Sequence, residues 1–325
     1  MNRILVFFAG LLLSSLWVSC SKDFQINDDY KDITIVYGLL NPNDSLSYIR
    51  IEKAFLSDGD IYQAAQIPDS NLFPNKLEVD LFDDNGNKVV TFDTITIYNK
   101  NEGIFYAPVM QVYYARTKLL LNDNDLYTLK IRNPKTGEEQ TAKTKLINGR
   151  TVKIDYPNYK IDFTKSKDIV FTSKKDIRLY QVNIRFHYDE IDIHTNDTSH
   201  LYVDWLQGSV KSQFLTGGEE LKSPYSGQGF YDNLSNKLSG TDIIRYVGQV
   251  EIILSMADDV FNTYMDINMP SASLVVDRPA FSNIENGYGI FASRTQKIKN
   301  TTLSGPSQAK LIKIEDLHFS VRPPN

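Results

Sequence analysis

Cysteine is nearly absent from this chain. Its 325 residues hold one, Cys20, so no disulfide can form within it and the disulfide-stapled class of small secreted domains is excluded. Histidine is scarce, with four residues, which leaves few ways to pair a nucleophile with a base. No Gly-x-Ser-x-Gly elbow occurs. Gly287-Tyr288-Gly289 lacks the third glycine and the following helix of a phosphate cradle. An excess of positive charge is missing too. The 35 Lys and Arg stand against 40 Asp and Glu, a net charge of −5, which argues against nucleic acid as a partner. Nor does any apolar run reach the roughly 20 residues needed to cross a bilayer. The longest, Ile4 to Val18, is diluted by Gly10, Ser14 and Ser15. The expectation is a protein that is not an enzyme and carries no cofactor.

What is present at the start is an export signal: Arg3, the apolar run Ile4 to Val18, and Ser19 before Cys20. This stretch resembles a bacterial lipoprotein signal peptide, with Trp17 where that pattern favours leucine. The resemblance implies that residues 1–19 are removed and that Cys20 is the lipidation site, carrying a diacylglyceryl group and palmitate-type acyl chains. It further implies an outer-membrane protein, lipid-anchored and facing the periplasm or the cell surface. Two acyl chains anchor stably where one does not. Residues 20–31 are polar and without periodicity, and read as a tether. Lys22-Asp23 resembles the surface-export signal of some Bacteroidota lipoproteins; a solvated linker explains it equally well.

The remaining chain is rich in Tyr, Phe, Ile, Val and Thr, which favour strands. Alternation predicts strands over Asp32 to Leu40, Leu46 to Phe55, Lys76 to Phe82, Lys88 to Tyr98, Tyr113 to Leu121, Asp125 to Arg132 and Glu138 to Ile147. Asp84-Asn85-Gly86-Asn87 is a hairpin turn. Seven strands at this spacing predict an immunoglobulin- or fibronectin-like β-sandwich over residues 32–149. Leu121 to Tyr127 has the look of a tyrosine corner. Residues 150–325 then predict a second β-rich domain with two or three short helices. One helix takes in Phe230, Tyr231, Leu234 and Leu238. Another starts at Asp258-Asp259, with Phe261, Tyr264 and Met265 toward the core, and a third at Ser304-Gly305-Pro306. The fold class expected is therefore mostly β.

The segment Pro279 to Arg294 (PAFSNIENGYGIFASR) carries a second resemblance, together with the leader, the opening ITIVYGLLNP and the close LSGPSQAKLIKIEDLHF. These resemble an uncharacterised Bacteroidota lipoprotein family filed as a domain of unknown function. Its shared string corresponds here to Asn283, Asn286, Gly287, Gly289 and Phe291. Some of its members are encoded beside TonB-dependent receptors, which implies a role near nutrient uptake and a receptor as partner. The resemblance transfers no catalytic residue.

Two local clusters are candidate metal sites. Asp192, His194, Asp197 and His200 offer ligands for zinc or copper if one loop gathers them, and they read equally as a polar turn between strands. Asp83, Asn85 and Asn87 imitate part of a calcium loop without its distant glutamate; the hairpin explains them. The expected function is a non-catalytic, lipid-anchored binding or accessory protein. The alternative is a surface glycan-binding or glycan-processing protein, prompted by the aromatic content. One mature tryptophan, Trp205, and tyrosines at strand positions favour packing roles instead.

Overall fold

A computed structural model describes residues 33–54, 63, 65–98, 109–268 and 281–321. The leader, Cys20 and the tether lie outside the described residues. The first half runs β1 (Thr34–Leu40), β2 (Leu46–Lys53), the helical turn α1 (Pro68–Asn71), β3 (Glu78–Phe82), β4 (Lys88–Thr91), β5 (Asp93–Ile97), β6 (Met110–Arg116), β7 (Leu126–Arg132) and β8 (Glu139–Lys145). Two sheets form, ordered β1-β2-β6-β5 and β8-β7-β3-β4. This is the immunoglobulin arrangement of strands A-B-E-D facing G-F-C, with C′ added. Val36, Ile49, Leu81, Leu129 and Ile131 fill the space between them.

The tyrosine corner is present: the Asn122 N–H donates to the Tyr127 hydroxyl at 2.9 Å. The strand expected over Lys88 to Tyr98 is two strands. Phe92 is buried between the sheets and its N–H donates to the Val79 carbonyl at 2.8 Å. Turning that ring inward ends β4 in one sheet and starts β5 in the other.

The second half runs β9 (Ile154–Tyr156), β10 (Lys160–Ile161), β11 (Lys167–Thr172), β12 (Leu179–Asp192), β13 (Thr198–Lys211), β14 (Glu220–Tyr225), α2 (Gly227–Lys237), β15 (Ile243–Ala257), α3 (Asp259–Asn268), β16 (Ile284–Glu285), β17 (Tyr288–Leu303), α4 (Gly305–Ile312) and β18 (Phe319–Ser320). The Ser226 hydroxyl caps α2. The Ser304 hydroxyl caps α4, whose first turn holds Pro306, the position that tolerates a missing N–H. An aromatic core forms around Phe230, which stacks on Phe163 at 4.0 Å and meets Phe186 edge-on at 5.5 Å.

β17 belongs to both halves. Tyr288 to Ser293 pair in parallel with Ile35 to Leu40 of β1, and Arg294 to Thr301 pair antiparallel with β15. One sheet, β13-β12-β15-β17-β1-β2-β6-β5, therefore runs through the molecule. The two hydrophobic cores divide between Leu146 and Ile147, but the first also takes Ile284 and Phe291. Residues 281–293, assigned by the sequence reading to the second domain, thus complete the first sandwich. Strand β1 has an open edge and a hole for an aromatic ring, and β17 fills both.

Candidate binding groove

Strand β1 reads TIVYGLL, apolar at consecutive positions rather than alternating ones. A strand of this kind has apolar neighbours on both faces. Val36 and Leu40 face the sandwich core, while Tyr37 and Leu39 face outward into a groove of about 490 Å³. Tyr48 and Arg50 of β2, Met110 and Val112 of β6, and Ile290 of β17 extend its floor. Phe261 and Tyr264 of α3 stand over one side. This corrects the sequence expectation for α3: its buried residue is Asn262, and Phe261 and Tyr264 serve the groove instead of the core.

Burial and the neighbouring Tyr264 hydroxyl push the Tyr37 phenol above its ordinary pKa, so it stays protonated. Arg50 donates to Glu52 at 2.5 Å, yet among the described residues its buried Nε has no hydrogen-bond partner. Arg294 pairs with Asp44 at 2.8 Å. The groove therefore offers flat aromatic faces, aliphatic floor and one spare guanidinium donor.

Asp258 positions α3. Its carboxylate accepts the Phe261 N–H at 2.8 Å, which caps the helix, the Ser293 N–H at 2.9 Å and the Thr144 hydroxyl at 3.3 Å. One side chain thereby ties α3 to β17 and β8. Burial pushes its pKa up to about 6, against the lowering effect of these hydrogen bonds. Nothing in the sequence marked Asp258 as more than a helix-start charge.

The asparagine-glycine string fastens β17. The Asn283 amide donates to the Phe291 carbonyl at 2.7 Å and accepts its N–H at 2.9 Å, standing in for a strand neighbour. Asn286 takes the left-handed turn position, φ 57°, and Gly289 has φ 110°. A Cβ on Gly289 would lie 2.0 Å from the Val36 carbonyl oxygen.

The hairpin candidates do not converge. The Asp192 carboxylate accepts the His194 and Thr195 N–H groups at 2.8 and 2.9 Å, closing its own turn. His194 lies 3.9 Å from Asp242, and His200 pairs with Asp189 at 2.6 Å. The Asp197 carbonyl accepts the Asp192 N–H. Asp83 likewise caps its own turn, accepting the Asn85 and Asn87 N–H groups. Among the described residues no group of three or more His, Cys, Asp or Glu is placed to hold a metal ion, and no helix is long and apolar enough to cross a membrane. No protein-family model and no curated protein matches the chain.

Proposed function

We propose that this chain is a lipid-anchored, non-catalytic binding protein of the bacterial outer membrane, held by Cys20 and docking a protein partner in the α3 groove. A TonB-dependent receptor is the partner class that the family resemblance implies. The observation that carries the reading is the exposed pair Tyr37 (38%) and Tyr48 (45%) on the outer face of the A-B-E-D sheet, with Phe261 and Tyr264 beside them and the buried Val112 and Ile290 beneath. An immunoglobulin-like sheet keeps its outer face polar unless something covers it.

A photo-crosslinking side chain at Tyr48 tests the docking, with Tyr159, 89% exposed in the second half, as control. The expected result is an adduct with an identified outer-membrane protein from Tyr48 alone. Equal adducts from both positions, or none from Tyr48, would sink it. Anchoring is tested separately with Cys20→Ser. Sulfur is the nucleophile that accepts the diacylglyceryl group, so the variant should take up no labelled fatty acid and accumulate as precursor; full labelling of the variant would refute the site.

Glycan binding is the second reading, favoured by the same four aromatic rings. Its weakness is that the acidic groups at the groove, Glu52 and Asp44, are already paired with Arg50 and Arg294. Retardation in gels containing soluble polysaccharide, abolished by Tyr48→Ala, would choose it over a protein partner.

A further inference from the structure

Strand register fixes which end of the first sandwich carries the tether. The described chain begins at Ile33, and Thr34 pairs with Lys53 at the far end of β2. Ile35 pairs with Tyr288, the first residue of β17. β5 ends and β6 begins at the pair Ile97–Met110, so Tyr98 lies at the same end. In the other sheet Glu78, Arg132 and Glu139 are neighbours there. Gly287 lies between the two sheets at this end: a Cβ built on it would stand 2.9 Å from the Thr34 carbonyl oxygen and 3.4 Å from the Gln140 side chain. The connection that carries Ile67 spans β2 to β3 and belongs to this end too. The opposite end holds the β1–β2 turn, the loop 117–125 and the passage through Leu146 into the second half.

Among the described residues, four large apolar side chains stand exposed at the tether end: Tyr98 (73%), Ile67 (53%), Tyr288 (51%) and Ile33 (39%). Three cations near them are, among the described residues, paired with acids. Lys76 pairs with Asp93, Arg132 with Glu78 and Lys130 with Glu139. Between Cys20 and Ile33 the chain spans at most about 45 Å when fully extended. A tether of that reach makes contact with the bilayer an intramolecular event, favoured by a high effective concentration. Tyrosine suits this position because its ring enters the headgroup region while its hydroxyl stays wet.

We propose that the tether end of the sandwich rests on the lipid surface through Ile33, Ile67, Tyr98 and Tyr288, with the second half held away from the membrane. The inference depends on the lipidation of Cys20 argued above. It places the α3 groove, which lies along the flank of the strands, facing sideways toward a neighbour in the same membrane.

The test uses the full lipidated chain floated on phosphatidylcholine–phosphatidylethanolamine vesicles. Cysteine is introduced singly by Tyr98→Cys, by Ile67→Cys, and by Leu119→Cys at the opposite end, where the side chain is 90% exposed. Each variant is labelled with an environment-sensitive fluorophore. The expected result is blue-shifted emission at 98 and 67, quenched by a lipid-borne nitroxide at least twofold more than at 119, with aqueous iodide showing the reverse order. Iodide quenching that is equal at all three sites overturns the inference while leaving the anchor intact. Shielding of 98 and 67 from both quenchers overturns it in favour of a second copy of the chain covering that end. A chain that neither floats nor takes up labelled fatty acid refutes the lipidation reading itself, and this inference falls with it.

Discussion

At the scale of single residues, backbone room and buried charge decide more than side-chain chemistry. Gly289→Ala places a methyl group against the Val36 carbonyl at a φ of 110°, so neither the clash nor the backbone can relax cheaply. A loss of roughly 2–4 kcal/mol is expected by urea unfolding of a soluble chain starting at Ser21. Gly287→Ala should cost less, because its φ lies outside the left-handed region and its nearest contact is 2.9 Å; equal losses would contradict this assignment. Asp258 yields a prediction with a sign. Its folded pKa of about 6 lies above the ordinary 3.8, so the folded state keeps a proton that the unfolded chain has already released. Stability therefore falls as pH rises from 3.8 to about 6 and is level above. Asp258→Asn cannot titrate. The stability difference between wild type and variant should shrink by about 3 kcal/mol across that window, and curves that stay parallel would show that Asp258 titrates normally.

At the scale of elements, legibility followed locality. The hairpin at Asp83, the tyrosine corner and the cap at Ser304 are contacts within a few residues, and the sequence displays them as fixed spacings. The start of α4 was readable for the same reason, whereas Leu238, expected in α2, lies just past its end. Phe92 was misread because a β-strand and a crossing between sheets share one alternation, and only the core tells them apart. The groove was not read from the sequence, although its strand, ITIVYGLL, is apolar at consecutive positions. Its second wall was hidden because the orientation of Phe261 and Tyr264 depends on where Asp258 anchors α3. Most hidden was β17, whose partner β1 lies near the other end of the chain. This gives a test of the element itself. Residues 33–149 alone lack Ile284 and Phe291, and loss of a buried phenylalanine costs about 3–5 kcal/mol. The fragment should unfold at lower urea than the same fragment supplied with a peptide of residues 281–294. If added peptide leaves the midpoint unchanged, the first sandwich is complete without β17.

At the scale of the whole molecule, a single sheet and one strand shared between two cores make the halves a unit. On the lipid contact proposed above, the tether end of the sandwich would meet the membrane and its 119 end would point away from it, the order that the three fluorophore positions test. The shared strand has a further consequence, for the biography of the chain. A ribosome releases the N-terminus first, and everything up to Ile147 exists long before Tyr288 does. Yet the first sandwich stays unfinished, with β1 unpaired along one side, until almost the last residues are made. A polypeptide broken off anywhere before residue 281 thus cannot hide behind a well-folded front half. It would be left with an open edge along β1 and without Phe291 in its core, the kind of edge that invites unwanted pairing.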